Sequence, residues 1–260
     1  MVSTVLNTDV KQKDADHAVV IAVTSRAVFG SGADDDEVYG EGLAFPLLQA
    51  LQRVNEHLLM NNPAELLLFD IVLLTTDSQQ QQQSPRIISS TRHYGLEVGR
   101  FCFSSEEDFV ENLLKNNVQL FLSTDRNEAS QATQRGVLSA LLDHQTASCP
   151  SEQLKVLFFG DAVIQPDTGP TPPSRQAARS FSAQLGEMQR RFTMSDSPLS
   201  IGLVTWRGGR DSCADALHTL RSRGVRVDEA YCLAEAPWGP ILSVFRPHFL
   251  LSDGFGGLEG

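Results

Sequence analysis

Apolar positions fall in short unbroken runs, separated by stretches in which they recur at helical spacing. Ala18 to Val23 is a largely β-branched run that predicts a buried strand, ending in Thr24-Ser25-Arg26. From Phe45, with a helix-starting Pro46, Leu47, Leu48, Leu51, Val54, Leu58 and Leu59 predict a helix that Asn61-Asn62-Pro63 stops. Strand Phe69 to Leu74 ends in Thr75-Thr76-Asp77. Helix Ser84 to Tyr94, strand Glu97 to Phe103, helix Glu106 to Lys115 and strand Val118 to Leu122 follow, the last ending in Ser123-Thr124-Asp125. Ala129 to Leu142 reads as one helix. The acidic stretch Gly30 to Gly42 with Asp34-Asp35-Asp36, the glutamine run Gln79 to Gln83 and the connector Asp143 to Gln153 read as solvated loops.

The second half repeats the rhythm. Strand Lys155 to Phe159 leads into Gly160-Asp161, then a Pro-rich loop from Pro166 to Pro173 and a helix from Arg175 to Phe192. Strand Ile201 to Val204 ends in Thr205, and helix Cys213 to Arg223 stops at Gly224, a C-cap glycine. Short strands at Glu229 to Leu233 and His248 to Leu251 finish the pattern. The alternation predicts an α/β fold of Rossmann type, a mainly parallel sheet flanked by helices. Met1 to His17 shows no periodicity and reads as a disordered polar lead. Residues 18–260 then form a single domain of two α/β halves, about 18–142 and 154–260. Four strands end in Ser or Thr, at the end of a parallel sheet where ligands bind. Hydroxyls there suit a phosphate beside a helix N-terminus, and they are equally the preferred helix N-caps.

Composition narrows the partners. The 260 residues carry a net charge of −11, against a basic face for nucleic acid. No apolar run is long enough to span a bilayer, and the polar N-terminus is not a signal or transit peptide. Cys102, Cys149, Cys213 and Cys232 are scattered, as expected for reduced thiols of a cytoplasmic protein.

A more specific reading comes from a series of short segments. These include Val20-Ile21-Ala22-Val23-Thr24-Ser25-Arg26-Ala27-Val28-Phe29, Ala44-Phe45-Pro46-Leu47-Leu48, Arg92-His93-Tyr94 and Arg100-Phe101-Cys102. Gly160-Asp161-Ala162-Val163, Leu203-Val204-Thr205, Asp228-Glu229-Ala230, Ala236-Pro237-Trp238-Gly239-Pro240 and Arg246-Pro247-His248 follow in order. From about Ala18 to its end the chain resembles the cytosolic 5′-nucleotidase I family, which is haloacid-dehalogenase-like. The resemblance implies removal of the 5′-phosphate from nucleoside monophosphates such as AMP or IMP, with Mg²⁺. It implies an aspartate nucleophile that becomes phosphorylated, and a second Asp two residues on as general acid/base. A Ser/Thr and a Lys hold the phosphoryl oxygens, and a late acidic pair completes the metal site.

The chain departs from that pattern at the reacting groups. The nucleophile position is Phe159, which has neither a carboxylate nor a lone pair. The family's Gly-Ala-Pro-Lys-Gly-Pro reads Glu235-Ala236-Pro237-Trp238-Gly239-Pro240, with an indole in place of the ammonium. The late acidic pair is Ser252-Asp253, and a turn expected to carry Gly and Lys reads Ser104-Ser105-Glu106-Glu107-Asp108. No other Asp-x-Asp match lies at a strand end where a nucleophile belongs. Retained are Asp161 at the acid/base position, Thr205 at the phosphoryl-oxygen position, and Asp161 with Asp253 toward a metal. Arg26 and Arg207 are candidates for a phosphate, and Arg26 also for a carboxylate partner; surface or salt-bridging roles are their alternative.

Three functions stand. One is a family member that has lost hydrolysis and binds a nucleoside monophosphate weakly, or a partner subunit in a homo- or hetero-oligomer. The second is a working Mg²⁺-dependent 5′-nucleotidase with a non-standard site. The third is a partner-binding protein without a ligand.

Overall fold

The structure, a computed structural model, describes residues 3–30, 37–76, 82, 84–142, 152–163, 173–206 and 209–252, with the backbone alone at 161 and 209. The Asp34-Asp35-Asp36 run, most of the glutamine run, most of the connector after Leu142, nearly all of the Pro-rich loop, and Cys149 lie outside the described residues.

Two sheets form from consecutive parts of the chain. The first contains β1 (Ser3–Leu6), β2 (Val19–Thr24), β3 (Phe69–Thr75), β4 (Val98–Phe103), β5 (Leu120–Ser123) and β6 (Ser139–Leu141), in the order β1-β4-β3-β2-β5-β6. All neighbours are parallel except β1 against β4. Every residue of β2 and β3 is buried, which is why these strands read as unbroken apolar runs rather than alternating ones. Helices α1 (Ser25–Val28), α2 (Phe45–Asn61), α3 (Ser84–His93), α4 (Phe109–Lys115) and α5 (Arg126–Gln134) connect them. The amide of Asn55, buried in α2, donates to Phe69 O at 2.8 Å and accepts from Phe69 N at 2.7 Å, so helix and strand are held at one register.

The second sheet has the order β10-β7-β8-β9, all parallel, from β7 (Leu154–Phe159), β8 (Leu199–Thr205), β9 (Glu229–Cys232) and β10 (Phe249–Leu251). Its helices are α6 (Gly160–Val163), α7 (Pro173–Gln189), α8 (Gly209–Ser222) and α9 (Gly239–Phe245). One apolar cluster runs through both halves, from Val19, Ile21 and Leu51 to Val156, Phe158, Leu185 and Phe249. Helix α2 packs on β3 and on β7, and the edge strands β6 and β10 lie close to each other. This is the α/β, mainly parallel architecture that the alternation predicts. In each sheet the chain steps outward on one side and then returns to the other, so each has a switch point: between β2 and β5, and between β7 and β10.

Several elements differ from the sequence reading. The lead, read as disordered, carries β1, paired from Ser3 opposite Phe103 to Leu6 opposite Arg100. Thr4 Oγ1 lies 3.5 Å from Cys102 Sγ and 3.4 Å from Asn112 Oδ1, and Asn7 donates to Val98 O at 2.8 Å. What orders it is the open backbone edge of β4, which hydrophobic periodicity does not register. The single helix read over Ala129 to Leu142 is instead α5 followed by β6, because Gly136 takes a left-handed φ of 88° and ends the helix, as Gly224 does at 81° for α8. Helix α9 was not anticipated, although Pro240 in its first turn marks its start.

Candidate active site

The family resemblance places the chemistry at the C-terminal end of the second sheet, where β7 and β10 part. Strand β7 ends in Phe159 and passes directly into α6. At Gly160 a Cβ would stand 2.7 Å from Thr205 Cγ2, so only glycine lets the end of β8 approach the turn this closely. Thr205 is 3% exposed, and its Oγ1 has no hydrogen-bond partner among the described residues. The hydroxyl therefore serves no helix cap. Leaving it buried and unpaired costs about 1–3 kcal/mol, which marks the position as one where a ligand atom would be welcome.

The neighbouring positions are apolar. Phe159 and Trp238 are both buried, with ring centroids 5.8 Å apart and planes at 83°, an edge-to-face pair. Leu157, Val204, Leu242, Phe245 and Leu250 close around them. Such a pair contributes about 0.5–1.5 kcal/mol beyond the area it buries. Trp238 is thus engaged edge-on with Phe159 and is not a free platform for a base. It sits at the N-cap of α9. The loop before it holds two left-handed residues that are not glycine, Ala234 at φ 47° and Glu235 at φ 70°. Leu233 N donates to Thr205 O at 2.9 Å and Glu235 N to Trp206 O at 2.8 Å, so the loop is tied to the end of β8.

Asp161 lies in α6 with its side chain outside the described residues, and Arg207 and Asp253 also lie outside them. The described residues here offer two aromatic rings and a threonine. No group of three His, Cys, Asp or Glu that could share a metal ion occurs among the described residues of the chain. Mg²⁺ takes carboxylate oxygens and water, and the two carboxylates the resemblance assigns to it, Asp161 and Asp253, are not among the described side chains.

Arg26 is placed elsewhere, at the end of β2 in the first sheet, and no hydrogen bond or ion pair joins it to Thr205. Its carboxylate-partner reading is the one realised. Nη2 lies 2.5 Å from Glu128 Oε1 and 3.7 Å from Asp125 Oδ2. Glu128, 7% exposed, also accepts from Thr76 Oγ1 at 2.9 Å and from Ser123 Oγ at 2.6 Å, so one carboxylate gathers the ends of β2, β3 and β5. Asp125 caps α5 by accepting from Asn127 N and Glu128 N. The hydroxyls at these strand ends were noted from sequence, but Glu128 was not. Its only signal was an acid three residues after an N-cap Asp.

Comparison with known proteins agrees with the resemblance. The 5′-nucleotidase family model matches residues 31–175 and 168–259. Human (Homo sapiens) cytosolic 5′-nucleotidase 1B is 33% identical over 254 residues, covering 87% of this chain and 41% of its own length. The chain thus spans about two fifths of that relative. A crystal structure of a short chain dehydrogenase from Mycobacterium smegmatis, 10% identical, covers 87% of this chain and 96% of its own at a TM-score of 0.23, too low to bear on the fold. No helix among the described residues is long and apolar enough to cross a membrane. Taken with the order of its motifs and its two parallel sheets, the family match means that this chain belongs to the 5′-nucleotidase family.

Proposed function

We propose that this chain is a 5′-nucleotidase-family protein of the cytoplasm that has lost phosphoester hydrolysis and keeps a weakened site for a nucleoside monophosphate around Thr205. The observation that carries it is the Phe159–Trp238 pair, which occupies the positions of the nucleophile and the phosphate-binding lysine with a packed aromatic contact. Covalent catalysis splits one hard displacement into two easier ones only if a carboxylate attacks first, and a phenyl ring has no lone pair to do so. The losses act together, since groups that work as a unit do not fail independently. The unpartnered Thr205 hydroxyl supports residual contact with a phosphoryl oxygen. Asp161 and Asp253 are the residues left for a metal, and no step is assigned to one.

The test is inorganic phosphate released from AMP and IMP by purified protein, with Mg²⁺ and with EDTA. A Thr205→Ala, Asp161→Asn double variant sets the contamination level. The expected result is no release above that control. Mg²⁺-dependent release that the double variant abolishes would overturn the reading and call for another nucleophile. The combination Phe159→Asp, Trp238→Lys and Ser252→Asp asks whether those positions alone account for the loss.

A further inference from the structure

The two halves of the chain are built to one plan, residue against residue. Strands β2 and β7 have 6 residues each, and β3 and β8 have 7 each. Val19 faces Phe69 in the first pair and Leu154 faces Leu199 in the second, so both pairs start in the same register. On one side Ile21 faces Leu120 of β5, as Val156 faces Phe249 of β10. On the other Val72 faces Arg100 of β4, as Gly202 faces Glu229 of β9. A short helix follows at once in each half, α1 after Thr24 and α6 after Phe159. A left-handed residue other than glycine stands three positions before Leu120 and before Phe249: Asn117 at φ 53° and Arg246 at φ 52°. The order β4-β3-β2-β5 is thus repeated as β9-β8-β7-β10.

The plan fails at one edge. In the first sheet β1 covers β4, running antiparallel to it, and Phe101, Cys102 and Phe103 are buried. In the second, β9 is the last strand among the described residues, with Glu229, Ala230 and Cys232 exposed and Tyr231 half-buried. The missing cover has a traceable position. Shifting Ser3–Leu6 by the displacement from Val19 to Leu154 gives 138–141, the stretch that holds β6. That stretch pairs with β5 of the first sheet instead, which leaves β9 open. Leu233 N donates to Thr205 O at 2.9 Å, so by the two-residue period of a strand the N–H groups of Ala230 and Cys232 turn outward. They correspond to Phe101 and Phe103, which share the side of β4 where Gly99 O accepts from Asn7 N at 2.9 Å. Edges are commonly blunted by Lys or Pro, and Glu-Ala-Tyr-Cys has neither. Glu229 meets the Tyr231 hydroxyl, and neither it nor Glu235, just beyond the strand, has a basic partner among the described residues. A second copy, with net charge −11, would bring the same acids to that edge.

We propose that the outer edge of β9 accepts an extended basic segment of a partner protein, antiparallel as β1 lies on β4, with a Lys or Arg opposite Glu229. The surface is separate from the Phe159–Trp238 pair, and it stands whether or not hydrolysis is lost.

The test titrates the full chain with a short peptide of alternating Val and Thr, with Lys at the place facing Glu229 and at the end toward Glu235. The amide resonances and hydrogen exchange of Ala230 and Cys232 are followed. The expected result is saturable shifts and slowed exchange at both, with the amides of β1 unmoved. The same peptide with Glu for each Lys, or with Pro at its centre, should not bind. Glu229→Lys with Glu235→Lys should weaken the Lys peptide about tenfold and let the Glu peptide bind. Ala230→Pro removes an N–H that the sheet does not use, which an edge strand tolerates, and should abolish binding. Backbone amide spectra establish that each variant is folded, and the double charge reversal, at exposed positions, carries the test if the proline variant is not. No saturable change with the Lys peptide, equal binding of the Glu or Pro peptide, or indifference to the charge reversal would overturn the proposal. So would a dimer in sedimentation with Ala230 and Cys232 protected before any peptide is added, which would assign the edge to a second copy.

Discussion

The two switch points have the same topology and opposite interiors. Where β2 and β5 part, Arg26, Thr76, Ser123, Asp125 and Glu128 form a closed network in which the acids are matched by a guanidinium, hydroxyls or backbone N–H groups. Where β7 and β10 part, the corresponding volume holds Phe159, Trp238 and aliphatic side chains, with one unpaired hydroxyl at its margin. At the first, Glu128 meets Arg26, Thr76 and Ser123 and so holds three strand ends together, although the buried Thr24 hydroxyl at the end of β2 has no hydrogen-bond partner among the described residues. At the second, the described side chains are mainly apolar and pack on one another. Polar strand ends alone do not mark an active site, since the acids at the first switch point already have partners within the chain.

The sharpest way to break this contrast is to make the second switch point polar. Phe159→Asp should destabilise the fold by about 4 kcal/mol, because it empties a packed ring site and buries a carboxylate without a partner. Urea denaturation measures this, and a loss below about 1 kcal/mol would mean the pair is not packed as described. In the first switch point, Glu128→Ala should cost about 3 kcal/mol, since it removes at once the acceptor shared by Arg26, Thr76 Oγ1 and Ser123 Oγ. The same measurement on a Glu128→Ala, Arg26→Met double variant should recover part of that loss.

A comparable effect belongs to the other end of the second sheet. His248 titrates near 4 in the folded chain, chiefly because it is buried, below the ordinary 6.5 of an unfolded one. Between those values the unfolded state binds the extra proton, so stability is full above about pH 6.5 and falls as pH drops toward 4. The difference amounts to about 3 kcal/mol. His248→Asn should flatten that slope in denaturation measured across this range. Smaller effects distinguish the remaining details. Thr205→Val, which removes an unpaired hydroxyl, should be neutral or stabilising by about 1 kcal/mol. It should also reduce any stabilisation by AMP in a thermal melt. Glu235→Gly should stabilise by about 1 kcal/mol by relieving a left-handed φ, provided the loop stays on β8.

Much of the fold was legible in the sequence because β2, β3, β7 and β8 are buried on both faces, and such strands advertise themselves as unbroken apolar runs. Strands β1 and β6 were not, since one depends on a neighbour's backbone edge and the other on a glycine that divides an otherwise continuous helical pattern. At the candidate site Phe159 and Trp238 each stood out as a departure from the family pattern, but their contact with each other did not, because it arises from the folding of β7 against α9. The Glu128 network stayed hidden for the same reason: its members come from three separate stretches of the chain, and none is unusual where it stands.

Helix α2 belongs by sequence to the first half but rests on both β3 and β7, above a core that both sheets share. The two halves therefore cannot be treated as modules. Each produced separately would present an uncovered apolar face, and the pair produced together from a chain divided between Leu142 and Glu152 should recover the fold by association. Divided in this way, the protein would behave as a two-piece reporter whose reassembly depends on proximity.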